Sequence, residues 1–247
     1  MKFRIAIIVF SALFLGAAVF GLTHRLGYTD LNKDASWVGE AVVRSYDDET
    51  LMEILDKWWN GIPEDKEHDI PARAGLFEAP EVAAVRCEEA AVFRYRTVTQ
   101  KVRVQKVFRG ERITEGEELE LVEGSVYRND EYQLEAAGLF SIGGGVNFMI
   151  PGRTYLVFLD RDENAAHNDK TWGFFRGWIP PQFCYDEVGT TPVTPISPGS
   201  IWSRYQDCRE NEFFLTSAEA VSRMADFKLS VLLKYPLEGK SGEGGAK

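Results

Sequence analysis

The chain has 247 residues, 45% of them hydrophobic, with 28 basic and 38 acidic side chains and a net charge of −10. A chain this acidic repels phosphate backbones and anionic lipid headgroups, so no nucleic-acid partner is expected. The length is sufficient for one substantial hydrophobic core, or for one core with an appended helical part. Three cysteines, an odd number, argue against a scaffold built on disulfides.

The N-terminus begins with positive charge followed by an apolar segment. Lys2 and Arg4 come first, and residues 5–23 contain no ionisable side chain. A membrane-spanning helix needs roughly 20 apolar residues, whereas the apolar part of a cleaved signal peptide has roughly 7 to 15. Residues 1–23 are therefore predicted to be a transmembrane signal-anchor that contacts the membrane through residues 5–23. Because positive charge stays cytoplasmic, we expect a single-pass protein of the cell membrane with an extracytoplasmic C-terminal domain.

Two alternatives to an anchor remain open. Cleavage as a signal peptide would give a secreted domain, although Val19-Phe20-Gly21 is a poor match to a small-x-small cleavage site. A buried helix of a soluble protein is the other alternative. Such a helix is rarely apolar on all sides at the extreme terminus of a chain.

The rest of the chain divides into segments of different composition. Residues 24–36 are predicted to be a polar linker, and residues 37–80 a helical lead-in segment. Residues 81–215 carry strand patterns and are predicted to form a β-barrel domain. Residues 216–236 predict a C-terminal helix that packs on the barrel, and residues 237–247 are too polar and glycine-rich to order themselves.

The lead-in segment contains a clear helix signal. Apolar residues recur at the spacing of one helical face, namely Leu51, Ile54, Leu55, Trp58 and Trp59. Asp47 or Asp48 would cap the start, and Gly61 and Pro63 would end the helix. The tryptophan pair is expected to dock the helix on the barrel, with contact at the membrane interface as the alternative.

A second helix follows a capping-box pattern, Thr216-x-x-Glu219. Its apolar stripe consists of Val221, Met224, Ala225, Val231, Leu232 and Tyr235. Lys228 falls within this stripe and is its one flaw. Pro236 ends the helix.

The region from 83 to 108 is typical of β-structure because it contains no glycine or proline and is rich in Val, Phe, Tyr and Thr. Val102 and Val104 keep a period of two, but Gln100 interrupts their apolar face. The apolar phase then shifts to Val107, which indicates a β-bulge.

Three further stretches predict strands. Leu119 and Leu121 alternate with charged residues, so one face of that strand is buried. Residues 155–159 are apolar on both faces, as expected for a central strand covered on both sides. Residues 172–178 alternate large aromatic residues with smaller ones and also predict a strand.

A combination of strand and turn motifs spans residues 84–180. Val102–Gly110 is a strand that ends in a basic residue and glycine, and Leu119–Glu123 is a charged strand. Residues 152–159 follow as G-x-x-Y-L-x-F-L. This pattern resembles netrin-like and TIMP-like domains, and the resemblance implies an OB-type β-barrel at the cell surface with a binding role. The expected fold class is therefore mainly β with flanking helices, preceded by one N-terminal transmembrane helix.

Inhibition of metalloproteases, which some members of that family perform through an N-terminal cysteine, is not carried over. Cys87 lies inside the first strand region and cannot form such a terminus. Cys184 and Cys208 could pair in an oxidising compartment, or all three cysteines could remain thiols.

No motif identifies a catalytic, cofactor-binding or metal-binding residue. His24, His68 and His167 are scattered and have no histidine partner at helical spacing. Residues 160–164 match the first five positions of a calcium loop, but Ala165 and Thr171 replace its glycine and glutamate, which favours an acidic hairpin loop.

The aromatic residues of the C-terminal half allow a binding groove, although burial in the core is the favoured interpretation. They are Trp172, Phe174, Phe175, Trp178, Tyr185, Trp202 and Tyr205.

The leading hypothesis is a non-enzymatic, membrane-anchored extracytoplasmic module that binds a protein partner or a ligand at the cell surface. An extracytoplasmic hydrolase is one alternative, and it requires Cys87, Cys184 or a histidine beside a base in a pocket. A structural subunit of a membrane complex is the other.

The anchor can be tested on the full-length protein purified from its native membrane in mild detergent. Mass spectrometry is expected to find an intact N-terminus together with a reproducible stoichiometric companion. An N-terminus that begins near residue 22, with no companion, would mean a secreted free domain.

Overall fold

The computed structural model describes residues 38–39, 41–64, 72, 74–94, 97–123, 126–128, 140–142, 144–161, 170–175 and 180–238. The chain divides into two units, Met1–Ala35 and Ser36–Lys247, and every described residue belongs to the second. The predicted anchor and linker, residues 1–36, lie outside the described residues. Neither of the helices that are described has the length and hydropathy of a membrane span.

The described part of the chain contains two α-helices and eleven strands. The helices are α1 (Asp48–Asn60) and α2 (Ala218–Lys234), and single 3-10 turns occur at Leu76–Glu78 and Tyr205–Asp207. The strands are β1 (Ala41–Arg44), β2 (Glu81–Cys87), β3 (Val92–Arg94), β4 (Thr97–Arg109), β5 (Glu118–Glu123), β6 (Val126–Arg128), β7 (Phe140–Ile142), β8 (Thr154–Asp160), β9 (Thr171–Phe174), β10 (Gln182–Cys184) and β11 (Trp202–Arg204).

Five strands close into a barrel in the ring order β2-β4-β5-β9-β8. The pair β5–β9 is parallel, and every other pair of the ring is antiparallel. The short pairing of β8 with β9 closes the ring, so each barrel strand pairs with a neighbour on both of its sides. The mainly β fold with a barrel is confirmed, and β3 and β10 extend the sheet on β4 and β8.

The alternation of β8 divides the interior into two apolar cores. Tyr155, Val157 and Leu159 point into the barrel, and Leu156 and Phe158 point outward to the helices. All five side chains are buried. The prediction of a central strand covered on both sides is confirmed.

Helix α1 covers the outer face of this part of the barrel. The Asp47 side chain caps it by accepting a hydrogen bond from the Thr50 amide at 2.8 Å. The Trp58 ring meets the edge of Phe183 with centroids 5.8 Å apart, so Trp58 docks the helix on the barrel as expected. Trp59, placed in the same stripe by the sequence, is instead 53% exposed and packs against Phe77.

Helix α2 begins one residue later than the capping box predicts. The Ser217 hydroxyl, and not that of Thr216, accepts the hydrogen bond from the Ala220 amide at 3.1 Å. The two helices are joined at their exposed sides by a bidentate ion pair between Arg223 and Asp48. The helix has 17 residues and lies inside the range 216–236 in which the sequence predicts it.

Two bulges adapt β4 to its neighbour β2. Val85 pairs with Val104 and Ala84 with Lys106, so Gln105 has no partner residue on β2. A second irregularity follows at Phe108. The bulge at Gln105 explains the phase shift of the sequence, because it returns Val107 to the barrel side.

The polar interruption at Gln100 also has a structural role. Its side-chain amide is buried and bonds both backbone groups of Met149, at 2.9 Å in each direction. Because the amide makes both of these hydrogen bonds, its burial in the barrel core costs little free energy.

A second sheet has the strand order β11-β1-β7-β6 and contains none of the barrel strands. Strand β1 of this sheet lies within residues 37–80, the segment that the sequence predicts to be a helical lead-in. The β1–β7 pair is parallel and the others are antiparallel.

The turn after β4 depends on a glycine and a buried carboxylate. Gly110 has φ +104°, and a Cβ at this position would lie 1.7 Å from Oε2 of Glu81. Glu81 is 2% exposed, and its Oε1 accepts a hydrogen bond from the Arg112 amide at 3.3 Å. The carboxylate therefore holds the turn by occupying the space that the missing side chain leaves.

We expect Gly110→Ala to lower the free energy of unfolding by about 2 kcal/mol more than Gly116→Ala. Both glycines have positive φ, so both substitutions strain the backbone by roughly 1–2 kcal/mol, but nothing lies within 4 Å of a Cβ at Gly116. Urea denaturation of both variants measures the difference. Equal losses would show that Glu81 does not constrain the turn.

Candidate functional site

A pocket of about 270 Å³ opens beside helix α2. The helix side of the pocket consists of Val221, Met224, Ala225, Lys228, Leu229 and Leu232. The opposite side consists of Val188, Thr190, Glu212 and Phe213. Its walls are mostly apolar, and its charged groups are one lysine and one glutamate, as is common in small-ligand sites.

Glu212 and Lys228 form a largely buried ion pair in this pocket. The Lys228 ammonium donates to Oε2 of Glu212. The Lys228 side chain is 16% exposed and the Glu212 side chain is 5% exposed. The other carboxylate oxygen, Oε1, accepts a hydrogen bond from the Cys184 amide at 2.7 Å. Glu212 therefore connects helix α2 to strand β10.

The backbone around Glu212 is fixed by Asn147 and Gly189. The Asn147 amide donates to the Glu212 carbonyl at 2.9 Å, and the Glu212 amide donates to the Gly189 carbonyl at 3.1 Å. The Asn147 side chain also donates to the Asn211 carbonyl at 2.8 Å. These bonds fix the backbone segment that carries the Glu212 side chain.

Burial dominates the electrostatics of the pair. It raises the pKa of the Glu212 carboxyl, while the Lys228 charge, the hydrogen bonds and Arg153 act in the opposite direction. Burial also raises the pKa of the Cys184 thiol, and the neighbouring Glu212 charge adds to that effect. The thiol therefore stays protonated beside the carboxylate near neutral pH.

The ammonium of Lys228 has hydrogen-bonding capacity to spare. An ammonium carries three N–H donors, and in the described part of the chain Glu212 is the one group that accepts from it. Each oxygen of Glu212 accepts one hydrogen bond, and Glu212 is more deeply buried than Lys228, with 5% of its side chain exposed against 16%. The more accessible member of the ion pair is therefore the donor, Lys228.

None of the cysteines forms a disulfide, and all three are buried thiols. Burial raises the pKa of Cys87 to about 11 and that of Cys208 to about 12. The Cys87 thiol donates to the Glu89 carbonyl, and the Cys208 thiol donates to the Arg204 carbonyl. A protonated thiol is a poor nucleophile, so these groups are unsuited to attack a substrate.

The other candidates of the sequence fall largely outside the described residues. This applies to His24, His68 and His167, and to the calcium-loop pattern beyond Arg161. Across the residues that are described, no three His, Cys, Asp or Glu side chains are grouped so that they could hold a metal ion.

The aromatic residues do not line one groove. Trp172 is buried in the barrel interior, whereas Phe175 is buried in the core between barrel and helices. Tyr185 packs against the core between barrel and helices, and its hydroxyl donates to the Tyr235 carbonyl at 2.6 Å. Tyr205 meets the edge of Phe214, and Trp178 lies outside the described residues.

The sequence contains a signal for Lys228 but not for Glu212. A lysine within an apolar helical stripe has to find a partner or solvent, so its position indicates a special environment. Glu212 occurs in an acidic, irregular stretch, and its proximity to Lys228 arises only when the chain folds.

Comparison with known proteins adds no functional assignment. No protein-family model matches the chain, and a search of curated proteins finds no similar sequence. The chemistry of the pocket is therefore the basis for a proposal.

Replacement of Lys228 by methionine is expected to lower the free energy of unfolding by about 3 kcal/mol at neutral pH. The change leaves the buried Glu212 carboxylate without its cation. The double variant Glu212→Gln/Lys228→Met is expected to return to within about 1 kcal/mol of the original protein, since no charge is left buried. Lys57→Met, which removes a partly exposed lysine and its surface ion pair with Glu53 on α1, is the control.

The loss in free energy of unfolding that Lys228→Met causes is also expected to depend on pH. Burial holds the pKa of Glu212 higher in the folded state than in the unfolded state. Ionisation of this carboxyl therefore lowers the free energy of unfolding as the pH rises from the unfolded pKa through the folded one. Loss of the cation enlarges this effect. Guanidinium denaturation at about pH 4 and at neutral pH should show a smaller deficit at the acidic pH. A deficit independent of pH would indicate lost packing alone.

Proposed function

We propose that this chain is a non-enzymatic binding module, held at the extracytoplasmic face of a membrane by residues 5–23, whose binding site is the pocket beside α2. The observation that carries the proposal is the buried Glu212–Lys228 pair in an otherwise apolar cavity. A preformed apolar pocket with a few fixed polar groups is the usual form of a ligand site.

The barrel is compatible with the OB-type, TIMP-like architecture proposed from the sequence. Counted along the chain, its five strands pair in the order 1-2-3-5-4, and the third and fifth are parallel. OB-type barrels are five-stranded Greek-key barrels that carry binding sites for varied ligands. The likeness supports a binding role and leaves the site itself to be argued from side chains.

The outer face of β4 and β5 supports a function without nucleic acid. Its basic side chains are matched by carboxylates: Lys101 pairs with Glu89 at 2.9 Å, and Arg103 contacts Glu88 and Glu118 at 3.5 and 3.4 Å. A surface that binds phosphate backbones needs basic groups in excess. This face is instead close to neutral, and the chain as a whole is acidic.

Binding is favoured over hydrolysis by the state of the pocket. Cys184 is the cysteine nearest to a carboxylate there, and the charge of Glu212 disfavours its thiolate. Glu212 itself is 5% exposed and is held by Lys228 and by a backbone amide, which leaves it poorly placed to take a proton from a substrate. The arrangement suits recognition better than proton transfer.

Ala225→Trp is expected to abolish binding of the neutral probe phenylpropanol, because Ala225 lines the pocket and indole would fill it. Ser230→Trp, at an exposed position on the side of α2 that faces away from the pocket, is the matched control. Binding can be followed by NMR of isotope-labelled methionine methyl groups in the full-length protein in detergent. Met224 lines the pocket and reports on it, while Met52, exposed on α1, is the reference.

A saturable shift of the Met224 signal that survives in Ser230→Trp and disappears in Ala225→Trp supports the proposal. If phenylpropanol moves the Met224 and Met52 signals alike, or not at all, the pocket is not a binding site. The comparison of the two tryptophan variants removes any contribution from partition of the probe into detergent, since that contribution is the same in both.

A further inference from the structure

We infer that the pocket beside α2 takes an apolar ligand that carries a carboxylate, and that Lys228 binds this carboxylate. The inference rests on the proposed function, since it requires the pocket to be a binding site. It adds the chemical class of the ligand and the residue that selects it.

The size and walls of the pocket define the apolar part of the ligand. The volume of about 270 Å³ is near the lower end of small-ligand sites, which is roughly 300 Å³, so a ligand of the size of one aromatic ring with a short chain fits. Val221, Met224, Leu229 and Leu232 on the helix and Phe213 opposite present hydrocarbon to it. Leu229 is 58% exposed and would lose water contact when the pocket fills.

The hydrogen-bonding state of the ion pair defines the polar part. Lys228 bonds Glu212 through one N–H, and no other described residue accepts from its ammonium. Glu212 accepts one hydrogen bond at each oxygen and is 5% exposed, whereas Lys228 is 16% exposed. The ammonium is therefore the member of the pair that a ligand can reach, and an acceptor group on the ligand would meet its spare N–H donors.

The charge of the ammonium favours an ionised acceptor. Lys228 lines the pocket and uses one of its three N–H donors on Glu212. A carboxylate on the ligand would accept a charge-assisted hydrogen bond from one of the others, which is stronger than the bond that a neutral acceptor would make.

The test compares phenylpropionate with phenylpropanol, which share the same apolar body and differ in the head group. The full-length protein is titrated with each probe, and the Met224 methyl signal is followed. Phenylpropionate is expected to bind about tenfold more tightly, the effect of one charge-assisted hydrogen bond. The double variant Glu212→Gln/Lys228→Met, which keeps the shape of the pocket without its charges, is expected to bind the two probes equally.

Glu212→Gln provides a second readout that a purely structural role would not give. Glutamine can still accept from the Cys184 amide, but it no longer neutralises Lys228. The affinity for phenylpropionate is therefore expected to rise about tenfold, while that for phenylpropanol stays the same. If Glu212→Gln does not fold, the comparison of the two probes in the double variant tests the inference by itself.

Each outcome has one meaning. Equal affinity for both probes in the original protein, with both blocked by Ala225→Trp, overturns the carboxylate inference and leaves the proposed function intact. Absence of binding by both probes overturns both. A preference for phenylpropionate that persists in the double variant assigns the selectivity to a group other than Lys228 and also overturns the inference.

Discussion

Burial of strand β8 on both faces is the constraint on which the described structure depends. One face completes the interior of the barrel, and the other supplies the surface on which α1 and α2 pack. Because side chains alternate along a strand, a slip of one residue would exchange the two cores and place Tyr155 against the helices. The register is further fixed on each side by β2 and β10.

The pocket follows from how α2 meets this surface. The helix buries Met224 and Val231 against the outer core, and Lys228, which lies between them on the same side, is carried into an apolar setting. An ammonium there needs a carboxylate, and the segment that follows Asn211 provides one. The ion pair of the pocket thus lies where the helix meets the barrel, away from the charged outer face of β4 and β5.

The sequence predicts the elements better than their assembly. The stripe of α1, the alternation of β5 and the bulge in β4 depend on neighbours within about ten residues, so periodicity is enough to find them. Trp59 departs from its stripe because Phe77, a residue of a distant turn, offers it a partner at the surface. Glu212 and Lys228 are paired by the packing of a loop on a helix, and no local pattern contains that information. The Cys184 and Cys208 pairing, left open by the sequence, is not formed.

The carboxylate of Glu212 joins strand β10 to helix α2, and this has a consequence for motion. If the C-terminal half of α2 lifts from the barrel, an ion is left buried without its counter-ion, so small displacements of the helix are unfavourable. The helix should therefore detach as a unit instead of fraying from its end, and its amide protons should exchange in one cooperative opening. A ligand held by Lys228 would be part of that closed state, so occupancy of the pocket and attachment of the helix are thermodynamically linked.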